Sequence, residues 1–118
     1  MLRDVRMLLW DVQSAASAIA DFVAGLDAAT YAATEVVHAA VERKFETIGE
    51  AFNQLAKLDP ALARRIPNLR DSVALRNLLI HGYATVDHGR VWQTASQSLP
   101  ALRMVVDALL AELGPPEA

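Results

Sequence analysis

The chain has 118 residues, a formal charge of -3 and no cysteine, and 53% of its residues are hydrophobic. Without cysteine there are no disulfides, thiolate nucleophiles or Cys-ligated zinc and iron-sulfur sites, and the acidic balance excludes a protein that coats nucleic acid by bulk charge. With 22 Ala and 16 Leu among the apolar residues, the composition favours close-packed helices over a thick aromatic core, and the length suits one domain over 1–118.

From Leu2, apolar residues fall at Val5, Leu9, Val12, Ala16, Ile19, Val23 and Leu26, in the alternating steps of three and four that make one face of a helix. Gly25 is its expected stop. Asp11 interrupts the apolar stretch 7–10, so no signal-peptide core forms there. The longest stretch without Asp, Glu, Lys or Arg, 91–102, falls short of the roughly 18 residues of a membrane span. A soluble, cytoplasmic protein with no membrane partner is expected. The second helix starts near Asp27 or Thr30 as cap and carries Val37, Val41, Phe45, Ile48, Phe52 and Leu55 to the stop at Asp59-Pro60. Gly49 inside it costs about 1 kcal/mol relative to Ala, which points to close approach by another helix.

Between Pro60 and Pro67 only a turn or short helix fits, because proline disfavours helical backbone in the residue before it. Asn68 or Asp71 caps a third helix to about Ile80, where Gly82 offers a left-handed stop. Asp87 caps a fourth, with Val91, Ala95, Leu99, Leu102, Val105, Leu109 and Leu113 on one face and Pro100 expected to kink it. With no convincing period-two alternation, the fold class is all-α: an up-and-down four-helix bundle with a short extra helix between its second and third helices.

The chemistry is concentrated late in the chain. The stretch 60–90, with Arg64, Arg65, Arg70, Arg76 and Arg90 against Asp71 and Asp87, carries +3, and the remainder carries -6. Arginine forks fit phosphate oxygens, although a solvated turn between helices accounts for the same charges. Within it, Arg76-Asn77-Leu78-Leu79-Ile80-His81-Gly82-Tyr83 places Arg76 and Tyr83 nearly in line and Asn77 and His81 on the adjacent stripe of one helix. That polar face suits a cleft or a subunit contact. His81 lies in the last turn, where the helix dipole favours imidazolium. The alternative is structural: Arg76 pairing with Glu42 or Glu50 across the bundle, and His81 an ordinary helix-end histidine.

A metal site is not expected. Glu35-x-x-His38, continued by Glu42 and Glu46, has the spacing used in carboxylate-bridged metal bundles, but these need a second such motif on another helix. Neither His81 nor His88 has an acid three residues earlier, so His38 reads as a surface or interhelix residue and His88 as part of a helix start. Trp10 and Trp92 are expected to anchor helix packing.

Several segments in order resemble the HepT-like family of HEPN-domain toxins, which are paired with MNT nucleotidyltransferase antitoxins. They are the second-helix run Glu42-Arg43-Lys44-Phe45-Glu46-Thr47-Ile48-Gly49-Glu50-Ala51, the Arg76-Asn77-x3-His81-x-Tyr83 motif, Val86-Asp87, Val91-Trp92 and Leu99-Pro100. The chain departs from many relatives in having Gly82 where they carry an acidic residue. The resemblance implies a metal-independent endoribonuclease without cofactor, with Arg76 and His81 catalytic at a cleft between the subunits of a homodimer. It also implies silencing by antitoxin-catalysed transfer of AMP to Tyr83. RNA cleavage through its own 2′-hydroxyl needs a proton acceptor, a donor and a fixed cation. Two copies of His81 and Arg76 furnish these, with Asn77 and Arg70 orienting the phosphate. The rival is a non-catalytic helical module that binds a nucleotidyltransferase or its nucleotide substrate.

Overall fold

The computed structural model describes residues 4–82 and 85–114. Among them are seven α-helices, one π-helical turn and no strand. The first, α1 (Val5–Val23), is capped by Asp4, whose side chain accepts from the Arg6 amide, a cap not singled out in the sequence. Leu8, Leu9, Val12, Ala15, Ala16 and Ile19 form its buried face, and Gly25, at φ +76°, turns the chain away as expected of a residue without a Cβ penalty in that region.

The expected second helix is two. Asp27 and Thr30 form a reciprocal capping box at the start of α2 (Ala28–Ala33), and extended backbone at Thr34 (φ -108°, ψ 91°) separates it from α3 (Glu35–Leu58). The break sets α2 apart from the axis of α3, and its Tyr31 is completely buried, with its ring against Trp92 at 5.5 Å. Burying that large ring outweighs the modest gain of one more helical residue. Along α3 the expected face holds: Val41, Phe45, Ile48, Phe52 and Leu55 are buried.

Asp59 ends α3 and caps the four-residue α4 (Pro60–Ala63) through the Leu62 amide. Helix α5 (Leu69–His81) starts at Asn68 in the left-handed conformation (φ 62°), with no side-chain cap bond. Asp71 is not the cap; it sits in the first turn, where the positive end of the helix dipole favours a carboxylate. Ala56 and Leu69 line one cavity while Gly49 lies against Ser72 and Arg76, so α5 runs antiparallel to α3.

Asp87 caps α6 (His88–Gln93) through the Arg90 amide. The expected kink at Pro100 takes the form of a π turn, Thr94–Ser98, followed by α7 (Leu99–Leu113). The Leu99 amide donates to the Thr94 carbonyl, five residues back. Proline has no amide to donate and crowds the carbonyl four residues before it, and the wider turn relieves that conflict. Beyond it the buried positions are Leu102, Val106, Leu109 and Leu110, so Val106 replaces the expected Val105, and Leu113 is exposed. Helix α7 closes on α1 through Gln13 to Asp107 (2.6 Å) and Arg103 to Ser17 (2.8 Å). The result is an all-α bundle of HEPN type. Its four long helical stretches are α1, α3, α5 and the composite α6–α7, with α4 as the short insert. No helix among the described residues is long and apolar enough to cross a membrane.

Candidate functional site on α5

Helix α5 is held to the bundle by Leu69, Ser72 and Leu75, a sparse buried face that leaves its C-terminal half open to solvent. Gly82 ends it with its amide on the Leu78 carbonyl (2.7 Å). Its φ is -94°, not left-handed as expected, so the stop at this glycine does not use the conformation that glycine alone tolerates.

Arg76 occupies the place where α5 comes nearest to α3. A Cβ on Gly49 would overlap the Arg76 Cβ and come within 2.9 Å of the Ser72 carbonyl oxygen, which confirms the close helix approach expected from Gly49. From there one guanidinium nitrogen donates to Glu50 Oε2 at 2.8 Å and the other terminal nitrogen to Asn77 Oδ1 at 2.9 Å. Of the two carboxylates named as structural partners, Glu50 is therefore the one that takes Arg76. The pair opens into a cleft of about 380 Å³ between α1, α3 and α5, whose lining includes Asp11, Arg43, Glu46 and Ile80.

His81 is exposed one turn beyond Asn77. Arg76, Asn77 and His81 thus share the C-terminal half of α5, with Leu78 (46% exposed) and Ile80 (37%) beside them. Arg70 is not with them. It lies near the start of α5, about 9 Å along the helix from Arg76 at 1.5 Å per residue, in a separate cavity with Arg64, Asn68 and Asp71. Tyr83 lies outside the described residues. The basic strip is also partly neutralised: Arg65 binds Glu112 through both terminal nitrogens (2.8 and 3.2 Å), and Arg76 binds Glu50 through one. Arg65 in turn holds the Glu112 carboxyl below the usual carboxylate range, through the hydrogen bond first and its charge second.

A second polar cluster joins α2, α3 and α6. His38 and Glu42 lie on α3, His88 opens α6, and one donor atom from each is within 4.8 Å of the others. Spacing alone reads His38 as a surface or interhelix residue and His88 as part of a helix start; with α2 packed against both α3 and α6, the fold brings the two side chains together. Trp92 packs there on Tyr31, as an anchor should, whereas Trp10 is 48% exposed and anchors little.

A small all-α bundle that displays Arg, Asn and His together at one end of a helix is the architecture the sequence resemblance implies. Residues 12–109 match the family described as "Ribonuclease HepT-like". The chain belongs to the HepT-like ribonuclease family. It is 28% identical to "Putative RNase MJ1380" of Methanocaldococcus jannaschii, over 89% of this chain and 95% of that protein. It is 27% identical to "Putative RNase MJ0125" of the same organism, over 94% and 95%, and 29% identical to "Probable ribonuclease HepT" of Thermococcus cleftensis, over 87% and 93%. No solved structure matches the chain.

Proposed function

We propose that this protein is the endoribonuclease toxin of a toxin-antitoxin pair, cleaving RNA through Arg76 and His81 at the interface of a cytoplasmic homodimer. The observation that carries the reading is the face of α5 on which partly buried Arg76 lies with exposed Asn77 and His81, in a chain of the HepT-like ribonuclease family. The 2′-hydroxyl of the substrate attacks the adjacent phosphorus. One His81 removes its proton, the His81 of the second copy protonates the leaving 5′-oxygen, and Arg76 holds the charge on the phosphate. The products are a cyclic phosphate and a free 5′-hydroxyl. Asn77, already bound to Arg76, orients the guanidinium. Because each proton transfer is assigned to a side chain, cleavage is expected to persist in EDTA; strict dependence on added magnesium would refute the mechanism.

Within one copy, Glu50 occupies one terminal nitrogen of Arg76, so a substrate phosphate competes with this carboxylate for the fork. Glu50 is half exposed and Arg76 about a quarter exposed; an ion pair this open contributes at most about 1 kcal/mol, a barrier that a charge-assisted phosphate contact can match. Exposed Leu78 and Ile80 beside Asn77 and His81 suit a second copy on this face. Sedimentation at low micromolar concentration should give a dimer, and a mass that stays monomeric would count against a two-copy site.

Control is assigned to a cognate MNT-type nucleotidyltransferase that transfers AMP to Tyr83. A phosphate-bearing adduct next to the motif adds negative charge where RNA phosphate must bind. Tyr83→Phe should retain cleavage and escape silencing on co-expression with the antitoxin. Peptide mass spectrometry of the silenced wild-type protein decides the matter: full silencing with an unmodified Tyr83 would exclude this control.

A further inference from the structure

The cluster between α2, α3 and α6 has no part in this chemistry. On α3 its Glu42 is eight residues from Glu50, about 12 Å along the helix at 1.5 Å per residue. His38 Nδ1 is 3.4 Å from Glu42 Oε2, and His88 Nδ1, from a different helix, is 3.7 Å from the same oxygen. The two imidazole rings stack with centroids 3.9 Å apart. Both Nδ1 atoms and the Tyr31 hydroxyl are sealed from solvent without a hydrogen-bond partner. Tyr31 itself is completely buried, edge-on to both imidazoles at 6.3 and 6.4 Å. A buried polar atom left unpaired is costly, and two of these three flank a single carboxylate oxygen of Glu42.

We infer that His38, Glu42 and His88 form a binding site for one divalent transition-metal ion of the zinc type. Two imidazole nitrogens and a carboxylate oxygen are the donor set of zinc and its neighbours, whereas calcium and magnesium take oxygen donors. Bonds of about 2.0–2.1 Å in tetrahedral array place the donors roughly 3.3 Å apart, and the two His–Glu separations are 3.4 and 3.7 Å. The two imidazoles, stacked 3.9 Å apart, must turn about their side-chain torsions for both lone pairs to converge on the ion. Three protein donors leave a fourth position for water. Burial first, and the neighbouring Glu42 charge second, push the Tyr31 hydroxyl well above the usual phenol range. The ion ties α3 to the first residue of α6, whose start Asp87 already caps. It fixes the far end of the connection that leaves α5 after His81 and stands outside the RNA chemistry.

The test uses the untagged full-length protein, stripped with EDTA and dialysed free of it. Calorimetric titration with zinc should show one ion per chain and a rise in the thermal midpoint. Co2+ should give the intense visible bands of a four-coordinate ion, a readout on the wild type that needs no variant. His88→Ala should remove tight zinc binding while circular dichroism stays helical, and His38→Ala should do the same. Tyr31→Phe, which touches the outer shell only, should weaken binding roughly 10- to 100-fold. A wild type that takes up no zinc and leaves Co2+ with the pale spectrum of its aqueous ion overturns the site, as does zinc binding that is undiminished in a folded His88→Ala.

Discussion

Arg76→Ala and His81→Ala should each lower RNA cleavage by about 10²- to 10⁴-fold, the loss typical of removing a general acid-base group or a charge-stabilising donor, while leaving the fold intact. Arg76 is about a quarter exposed where it pairs with Glu50, and truncating it to Ala leaves a carboxylate that is already half in water. Loss of the ion pair should cost at most about 1 kcal/mol, with a further loss from the stem packed against Gly49. His81 is exposed at a helix end, where substitutions usually stay within about 0.5 kcal/mol. Arg76→Lys sharpens the test, because it keeps the charge but loses the planar fork that engages Asn77 and a phosphate together. It should be nearly as inactive as Arg76→Ala. The measurement is cleavage of a defined RNA by purified, helical, dimeric variants; full activity in either alanine variant would sink the assignment.

The largest effect on stability is expected at Gly49→Ala, next to Glu50 on α3 and directly against Arg76 of α5. A methyl there overlaps Arg76 and presses on the Ser72 carbonyl, and the latter is backbone that cannot swing aside. Overpacking of this kind costs about 1–3 kcal/mol, more than the roughly 1 kcal/mol that alanine returns through helix propensity. Helix α5 must move away from α3 and carry Arg76 with it. A misplacement of about 1 Å can cost on the order of 10²-fold in rate, so the variant should melt lower and cleave poorly. An urea or thermal midpoint equal to the wild type, with undiminished cleavage, would show that the two helices have slack at this point.

The long helices were legible in the sequence because their apolar spacing is the packing itself. Leu9, Val12, Ala16 and Ile19, or Val41, Phe45, Ile48 and Phe52, are buried as their three-and-four steps require. What sequence spacing missed depends on how helices cross. Thr34 is only a mediocre helix former, and the break there follows from where Tyr31 must go, a tertiary demand with no local signature. Pro100 signalled a defect in the last helix, but not that an unpaired backbone would be absorbed by a π turn rather than a sharp bend. Glu42 and Glu50, two turns apart on α3, were equivalent candidates for Arg76 until the antiparallel register of α5 gave Arg76 to Glu50 and left Glu42 to the histidines. At the proposed site, the shared face of Arg76, Asn77 and His81 was readable from helical periodicity alone. The separation of Arg70 was readable as well, since six residues of helix carry it about 9 Å away, and charge counting hid it.

The closure of α7 on α1 bears on how the chain reaches this structure. Much of the packing joins long helices separated by only one short helix, α1 with α3 and α3 with α5, and such relatively local pairs form early and quickly. The bonds from Gln13 to Asp107 and from Arg103 to Ser17 span 94 and 86 residues, and loop-closure entropy sets them last. During synthesis, α1 therefore waits with part of its apolar face uncovered until α7 is made. The bundle that presents the Arg76 surface closes only once α7 has emerged.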